Sequence, residues 1–590
     1  MNNMNGKDFY NALVSGICKV ISRHEHLNKI NVFPVPDGDT GTNLLFTLRP
    51  VIKIKDDIPE HLGKAISLIA NTCIDSARGN SGTIMAQYFV GMSEICLDYE
   101  TISNENLKEL LDAGYTAAKG SMSEPKEGTI ISVMRDVINV ADNKEDEVSK
   151  IFKNIYDQAI VALNKTPDQM KLLKDAGVVD AGAQGYVDLL EGICHYIENG
   201  TFINPESIDN DTDTENTINI EEYDQSGYQF CTECIVEADD INRKLMKEKL
   251  SEMGDSFILA GTKTKVKVHI HTDYPQKIFK LCQGFGEVKN QKADDMHQQV
   301  ESSHNSKSQI AIVTDSGCDI QYDTHNSNIH IVPVRYSFGD KEYIDKVSQT
   351  TEEFYNELRT NPVHPKTSQP PMGDFINKYE NLSTHYDSII SIHIPEKLSG
   401  TLQSARNAKK RIKDKKITDI DSLSASVGLG LIVKSASELA KEINDHDKVV
   451  KKIETLIKNT KIFLTVNDIG YAIKGGRVPK YKGMIAKSLG LHPILTTDKE
   501  GKIKAASVLF GGKNLHNKFA NFILKKLDKN LTYKISLGHS NAEDECHEIM
   551  DIIENNFNNI ISIDLVDMGS GLGVHSGPHS FVVGIQEINE

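Results

Sequence analysis

At 590 residues, and with roughly 100–200 residues per domain, the chain has length for about three to five domains, which excludes a single small module. Apolar residues make up 39% and charged residues 25%, the usage of soluble globular proteins, so several cores can form and global disorder is excluded. Lys and Arg number 66 against 83 Asp and Glu, a net charge of −17, which argues against a nucleic-acid partner and leaves any anionic ligand to a locally built site.

The N-terminal stretch MNNMNGKDFYNALVSGICKVISRHEH has no basic segment followed by an uninterrupted apolar run, so no secretory signal is expected. The longest weakly polar stretch, Leu423 to Val433, is too short to span a bilayer, which leaves only peripheral membrane contact open. Nine cysteines are mostly scattered singly, with only Cys231 and Cys234 close together. That is free-thiol or metal usage in a reducing cytoplasm.

From residue 1 to about 197 the pattern is helical, with apolar residues at three- and four-residue spacing in Phe9–His24, Ile58–Ala70, Leu107–Lys119 and Val148–Leu163. An all-α bundle is expected there. Its sharpest motif is NKINVFPVPDGDTGTNLLFTL, in which Asp37 and Asp39 project two carboxylates from one loop leading into a helix. Mg²⁺ typically takes one or two carboxylates plus substrate phosphates, so this spacing suits metal–nucleotide binding. Thr40, Thr42 and Asn43 can cap the following helix, whose N-terminal amides favour phosphate. A bare DGD is more often a capped turn. Three further Gly-bearing helix starts change that weighting: Gly79, Ser81, Gly82 and Thr83 in DSARGNSGTIMAQ, Gly128 and Thr129 in PKEGTIISV, and Asp180 and Gly182 in KDAGVVDAGAQGYVDLLEG.

PVPDGDTGTN, ARGNSG, EGT and DAGVVDAGAQG resemble, in order, the nucleotide-binding loops of the dihydroxyacetone kinase L-subunit type of helical ATP-binding barrel, in the variant found in bacterial fatty acid kinases. The resemblance implies ATP and Mg²⁺, with the metal on Asp37 and Asp39. It implies phosphates on Thr40, Asn43, Ser81, Gly82 and Thr83, and a nucleotide pocket closed by Gly128, Thr129, Asp180 and Gly182. Asn31 stands near the place of that family's third carboxylate, as a neutral substitute.

Between Glu198 and Gln225 lie nine acidic residues and no Lys or Arg, the composition of a solvated linker over 198–225. A small α/β middle domain is expected over 226–300, with strands in YQFCTECIVEA and KTKVKVHIHTD. His269 and His271, at i and i+2 on a strand, face one side, whereas Cys231 and Cys234, three apart, face opposite sides. Three such ligands would suit Zn²⁺; a lone His-x-His pair is more often a hydrogen-bonded structural pair. YQFCTEC, GDSFILAG and KVHIHTDYP resemble the middle domain of fatty acid kinases, which implies metal ligation by Cys231, His269 and His271 and leaves Cys234 a core thiol.

Over 308–590 buried-strand candidates QIAIVTDSGCDI, IHIVPVRYSF, SIISIHIP, KIFLTV and YKISLGHS alternate with helical segments. An α/β fold with a largely parallel sheet is expected. VTDSGCD, KTSQPP, SGTLQSA, KGGRV and GVHSGPH could then converge where loops leave the strand ends, forming a receptor for a carboxylate. The ordered set resembles the DegV family of fatty-acid-binding proteins. It implies a long-chain fatty acid whose carboxylate meets Thr367, Ser368, Ser399, Gly400 and Thr401, with Arg477 and His575 nearby. Pro371 departs from that pattern, as does ASVLFGGKN, which lacks the usual basic residue.

The combined expectation is a multidomain, one-chain fatty acid kinase with Asp37, Asp39, Arg477 and His575 at the reacting centre. Its product would be an acyl phosphate for a phosphate acyltransferase and phospholipid synthesis. A homodimer is expected. Two other readings stand beside it: a kinase for a small triose-like hydroxyl substrate, and a fatty-acid carrier with a regulatory nucleotide domain and no turnover.

Overall fold

The computed structural model describes residues 3–142, 147–203, 227–298, 300, 308–321, 328–413, 415–476 and 491–588. The chain divides into two compact units, Met1–Ser303 and His304–Glu590. Most of the linker expected at 198–225 lies outside the described residues.

The first unit begins as helices. Gly6–Ser22 opens with Asn5 and Asp8 in a reciprocal capping box, which satisfies amides that have no partner within the helix. It packs along Ala181–Asn199 so closely that a Cβ on Gly192 would stand 2.5 Å from the Gly16 Cα. Leu107–Ser121 and Val148–Leu163 lie where the apolar spacing puts them. The helix expected from Ile58 starts instead at Leu62; Ile58 is extended, as the residue before a proline tends to be. Gly79–Ile95 has buried residues on every side, so it shows no amphipathic stripe and runs through the core.

The middle segment folds as a four-stranded antiparallel sheet in the order Asp255–Gly261, Lys265–Thr272, Phe230–Glu237, Glu287–Asp295. Two helices, Arg243–Leu250 and Pro275–Gln283, accompany it. Part of this sheet packs into the core of the helices: Ile258 and Ala260 belong to their apolar cluster. Ser123 N–H donates to Phe257 O at 3.0 Å, and Gly261 N–H to Gln87 Oε1 at 2.7 Å.

The second unit is α/β with two main sheets. One is wholly parallel, in the order Lys416–Asp421, Ser388–His393, Ile310–Asp315, Ile329–Val332. The other has six strands in the order Ile503–Phe510, Leu491–Thr497, Thr460–Thr465, Phe581–Ile588, Thr532–His539, Ile560–Asp567. Here the expected parallel character fails, since Thr532–His539 with Ile560–Asp567 is the single parallel pairing. Leu491–Thr497 and Ile503–Phe510 are joined by a short turn, and a short connection allows only antiparallel pairing. A three-stranded antiparallel sheet carries Lys366–Ser368 beside Arg335–Phe338. Among the described residues, no helix is long and apolar enough to cross a membrane.

Candidate functional site

In the first unit the four glycine-bearing loops meet. Asn31 donates its side-chain amide to Asp37 Oδ1 at 2.7 Å, and Asp39 occupies the N-cap position of Thr40–Leu48. Val35, between them, packs with Met296 and Val300. Burial pushes the Asp37 carboxyl well up, and the Asp39 charge adds to it. Burial also raises Asp39, offset in part by Asp37, Asn43 and the positive charge of Lys292. Two adjacent carboxylates that resist ionising together fit a hard cation, whose charge would relieve both. The Asn31 side-chain carbonyl is buried without a hydrogen-bond partner and supplies a third oxygen of the right kind.

Gly79 has φ +57°, and a Cβ there would run into the Asn43 side chain, so this left-handed turn brings the second loop onto the first. The Asn80 side-chain carbonyl beside it is buried and unpartnered. A Cβ on Gly182 would lie 3.0 Å from Ser81 Oγ, which places the fourth loop against the second. Asp180 ties the fourth to the third: its Oδ1 accepts from Ile130 N–H at 3.0 Å and Ala183 N–H at 2.7 Å. Three of the residues expected to meet nucleotide or its phosphates are thus bonded internally. Asp180 caps two helices, Thr83 Oγ1 donates to Gly79 O at 2.7 Å, and Thr129 Oγ1 donates to Lys126 O at 2.8 Å.

The middle sheet presents a polar face. Cys231 lies opposite His271 and Asp294, and Glu233 opposite His269 and Lys292; alternate residues share a face, so both rows project together. Cys231, His269 and His271 each offer an atom within 4.8 Å of the others. His269 Nε2 is buried without a partner. Burial holds the His269 ring below its ordinary value and the Cys231 thiol well above. One thiol and two imidazoles are the donor set of a tetrahedral zinc site, and the trio fits that ion. Glu233 is 1% exposed. Burial alone would raise its carboxyl, but Lys267, His269 and Lys292 hold it well below the ordinary value.

In the second unit the separated hydroxyl motifs converge. Thr367 Oγ1 lies 3.2 Å from His575 Nε2. A Cβ on Gly400 would collide with the Gln369 side chain, and one on Gly475 with the His575 ring. The loops that carry Thr367, Gly400, Gly475 and His575 are therefore neighbours. Ser399 Oγ stands 2.8 Å from Thr401 Oγ1 at the start of Thr401–Lys409. Ser368 is exposed, across the strand from Arg335. Arg477 lies outside the described residues. VTDSGCD serves the framework: Asp315 pairs with His393 Nδ1 at 3.0 Å and Asp319 with Lys346 Nζ at 2.8 Å, both carboxylates buried.

Residues 34–195 match the DAK2 domain, 227–303 the middle domain of fatty acid kinase A-like proteins, and 309–587 the DegV family. This chain joins all three, in that order. An uncharacterised protein of Staphylococcus saprophyticus is 31% identical over 311 residues, which cover 50% of this chain and 56% of the relative. One from Staphylococcus aureus is 30% identical over 313 residues, with the same shares. The chain thus spans about half the length of the curated relatives it matches. Among solved structures, a fatty-acid-binding DegV family protein from Thermus thermophilus is 26% identical, over 47% of this chain and 99% of that one, with a TM-score of 0.44. DegV of Bacillus subtilis, described as a fatty acid binding protein, is 25% identical, over 48% and 100%, with a TM-score of 0.44. The fatty acid kinase B3 protein of Streptococcus pneumoniae, loaded with linoleic acid, is 22% identical, over 48% and 99%, with a TM-score of 0.43.

Sequence reasoning missed Glu233, Lys267, Lys292 and Asp294 in the middle domain. Period-two alternation from Cys231 and His269 would have placed Glu233 and Lys267 on the same face as the trio. Lys292 and Asp294 needed the pairing register.

Proposed function

We propose that the chain is a fatty acid kinase: the DAK2 domain binds Mg²⁺ and ATP, the DegV domain presents a long-chain fatty acid, and the γ-phosphoryl group passes to its carboxylate, giving acyl phosphate and ADP. The observation that carries this reading is the Asp37–Asp39 pair with the orphaned Asn31 oxygen, in a DAK2 domain that shares its chain with a DegV domain. Asp37, Asp39 and Asn31 would hold Mg²⁺, which when bound neutralises phosphate charge. The helix start at Thr40 and, past the amide that Gly79 gives to Glu233, the first turn at Asn80, Ser81 and Gly82 would offer backbone amides to the phosphates.

The acceptor is a carboxylate already ionised near neutrality, so no strong base is required and positioning carries much of the catalysis. Thr367, Ser399, Thr401 and His575 would receive and orient it, with Arg477 as its proposed counter-charge. Cys231, His269 and His271 would hold Zn²⁺ in a structural role. The product, a reactive mixed anhydride, calls for an acyl-accepting enzyme such as a phosphate acyltransferase in phospholipid synthesis. We further propose a cytoplasmic homodimer.

Incubating the protein with γ-labelled ATP and Mg²⁺, in parallel with long-chain fatty acids and with a triose, tests the proposal. Label extracted as acyl phosphate is the expected result. Binding of ADP and fatty acid with no labelled lipid would leave a carrier with a regulatory nucleotide domain, and labelled triose would leave a hydroxyl kinase.

A further inference from the structure

Glu233 stands between two sites that the preceding reading treats separately. Its Oε1 accepts the backbone N–H of Gly79 at 2.8 Å, the first residue of the helix Gly79–Ile95. The same oxygen is 3.0 Å from His269 Nδ1, and Oε2 accepts from Lys267 Nζ at 3.0 Å. All four partners are buried: Gly79, and Glu233, His269 and Lys267 at no more than 5% exposure. A carboxylate of the middle domain therefore grips the glycine whose left-handed turn begins the proposed phosphate loop, while also holding one imidazole of the Cys231–His269–His271 trio.

We propose that Glu233 is a positioning residue that makes nucleotide binding in the DAK2 domain depend on metal occupancy of the middle domain. This rests on the nucleotide and zinc assignments above and adds a link between them. With Nδ1–H donated to Glu233, the lone pair of His269 lies on Nε2, the buried ring nitrogen that has no partner. A carboxylate behind a ligating imidazole fixes its tautomer and orientation and makes it a better ligand. The same contact works in reverse. A metal at the trio holds the His269 ring still, and the ring holds Glu233 at Gly79. The turn that presents Asn80, Ser81 and Gly82 is then set before nucleotide arrives, so less ordering is required on binding. Lys267 and Lys292, on the two strands that flank Glu233, keep its negative charge from repelling phosphate. Coupling between two ligands is reciprocal, so nucleotide must tighten metal by the same factor.

The full chain, stripped with chelator and returned to Mg²⁺, is titrated with ADP by calorimetry, with and without one equivalent of Zn²⁺; Zn²⁺ is then titrated with and without ADP. Expected is a tightening of between about fivefold and a hundredfold in each direction, lost in Glu233→Ala, which removes the oxygen that meets both Gly79 and His269, while both ligands still bind. Equal ADP affinity with and without Zn²⁺ overturns the inference and leaves the kinase reading standing. No ADP binding under either condition overturns both. Retention of the coupling in Glu233→Ala also overturns it. If Glu233→Ala fails to fold, Glu233→Asp replaces it: one methylene shorter, it keeps the charge but cannot span Gly79 and His269, and coupling surviving in it counts against the proposal.

Discussion

Asn31 and Asp37 form a neutral–acid pair, with the amide donated at 2.7 Å and the carbonyl left buried and unpartnered. Asn31 is therefore the position at which the charge of the proposed Mg²⁺ site can be changed. Asn31→Asp should tighten Mg²⁺ several-fold and lower the melting temperature of the metal-free protein, because a third carboxylate adds repulsion that only a cation relieves. Asn31→Ala should weaken Mg²⁺. Thermal melts across a Mg²⁺ titration check both.

Replacing both Asp37 and Asp39 by Ala should abolish phosphate transfer, by at least about a thousandfold, and leave fatty acid co-purification intact. The metal-free variant should melt no lower than the parent. In the parent the raised Asp37 carboxyl makes the folded state hold its proton more tightly than the unfolded state does. Stability then falls as pH rises above the ordinary Asp range, and the variant should lose that dependence. Melts from pH 4 to 8, in chelator, decide it.

Asp180 allows a second pH prediction with a number. Burial pushes its carboxyl up to about 6, although two backbone amides pull it down. The folded state binds the extra proton between the ordinary Asp value and about 6, so stability declines as pH rises through that window, by about 3 kcal/mol at most. Asp188, also raised to about 6 by burial, adds a similar slope. Asp180→Asn keeps an oxygen to accept Ile130 N–H and Ala183 N–H, so it should fold and show a shallower acid-side slope in urea melts than the parent. A variant with the parental slope would refute the assignment.

In the DegV domain, Thr367→Val and His575→Gln should each weaken fatty acid binding, and their effects should not add. A contact of 3.2 Å between the two side chains predicts a coupling of about 1 kcal/mol in a double-mutant cycle on fatty acid affinity. Strict additivity would mean that the two side chains act on different parts of the ligand.

The four DAK2 loops were legible in sequence because each places glycine at or beside the start of a helix. The trio was legible because His269 and His271 obey the period of a strand. Glu233 was not, since a glutamate beside a cysteine on a strand reads as a solvated charge until the register sets it against Lys292 and His269. Asp180 was legible only through the resemblance, as a residue closing a nucleotide pocket; its local cap on Ala183 N–H follows from its place before a helix, but its bond to Ile130 N–H became visible only when residues fifty apart were brought together. The mixed pairing of the six-stranded sheet was hidden for a similar reason, as apolar runs reveal strands and not their direction.

The shared cluster around Ile258 and Ala260 sets where the first unit can be divided. A fragment ending after the last DAK2 helix at Asn199 would bare the apolar surface those two residues cover, and leave Gln87 and Ser123 without their partners in the sheet. Such a fragment should be sticky and poorly soluble on its own. A chain cut between Asn199 and Gly227 should keep its two pieces associated, as a nicked protein does. For subcloning, the foldable first unit is the whole of Met1–Ser303, although it spans two family matches.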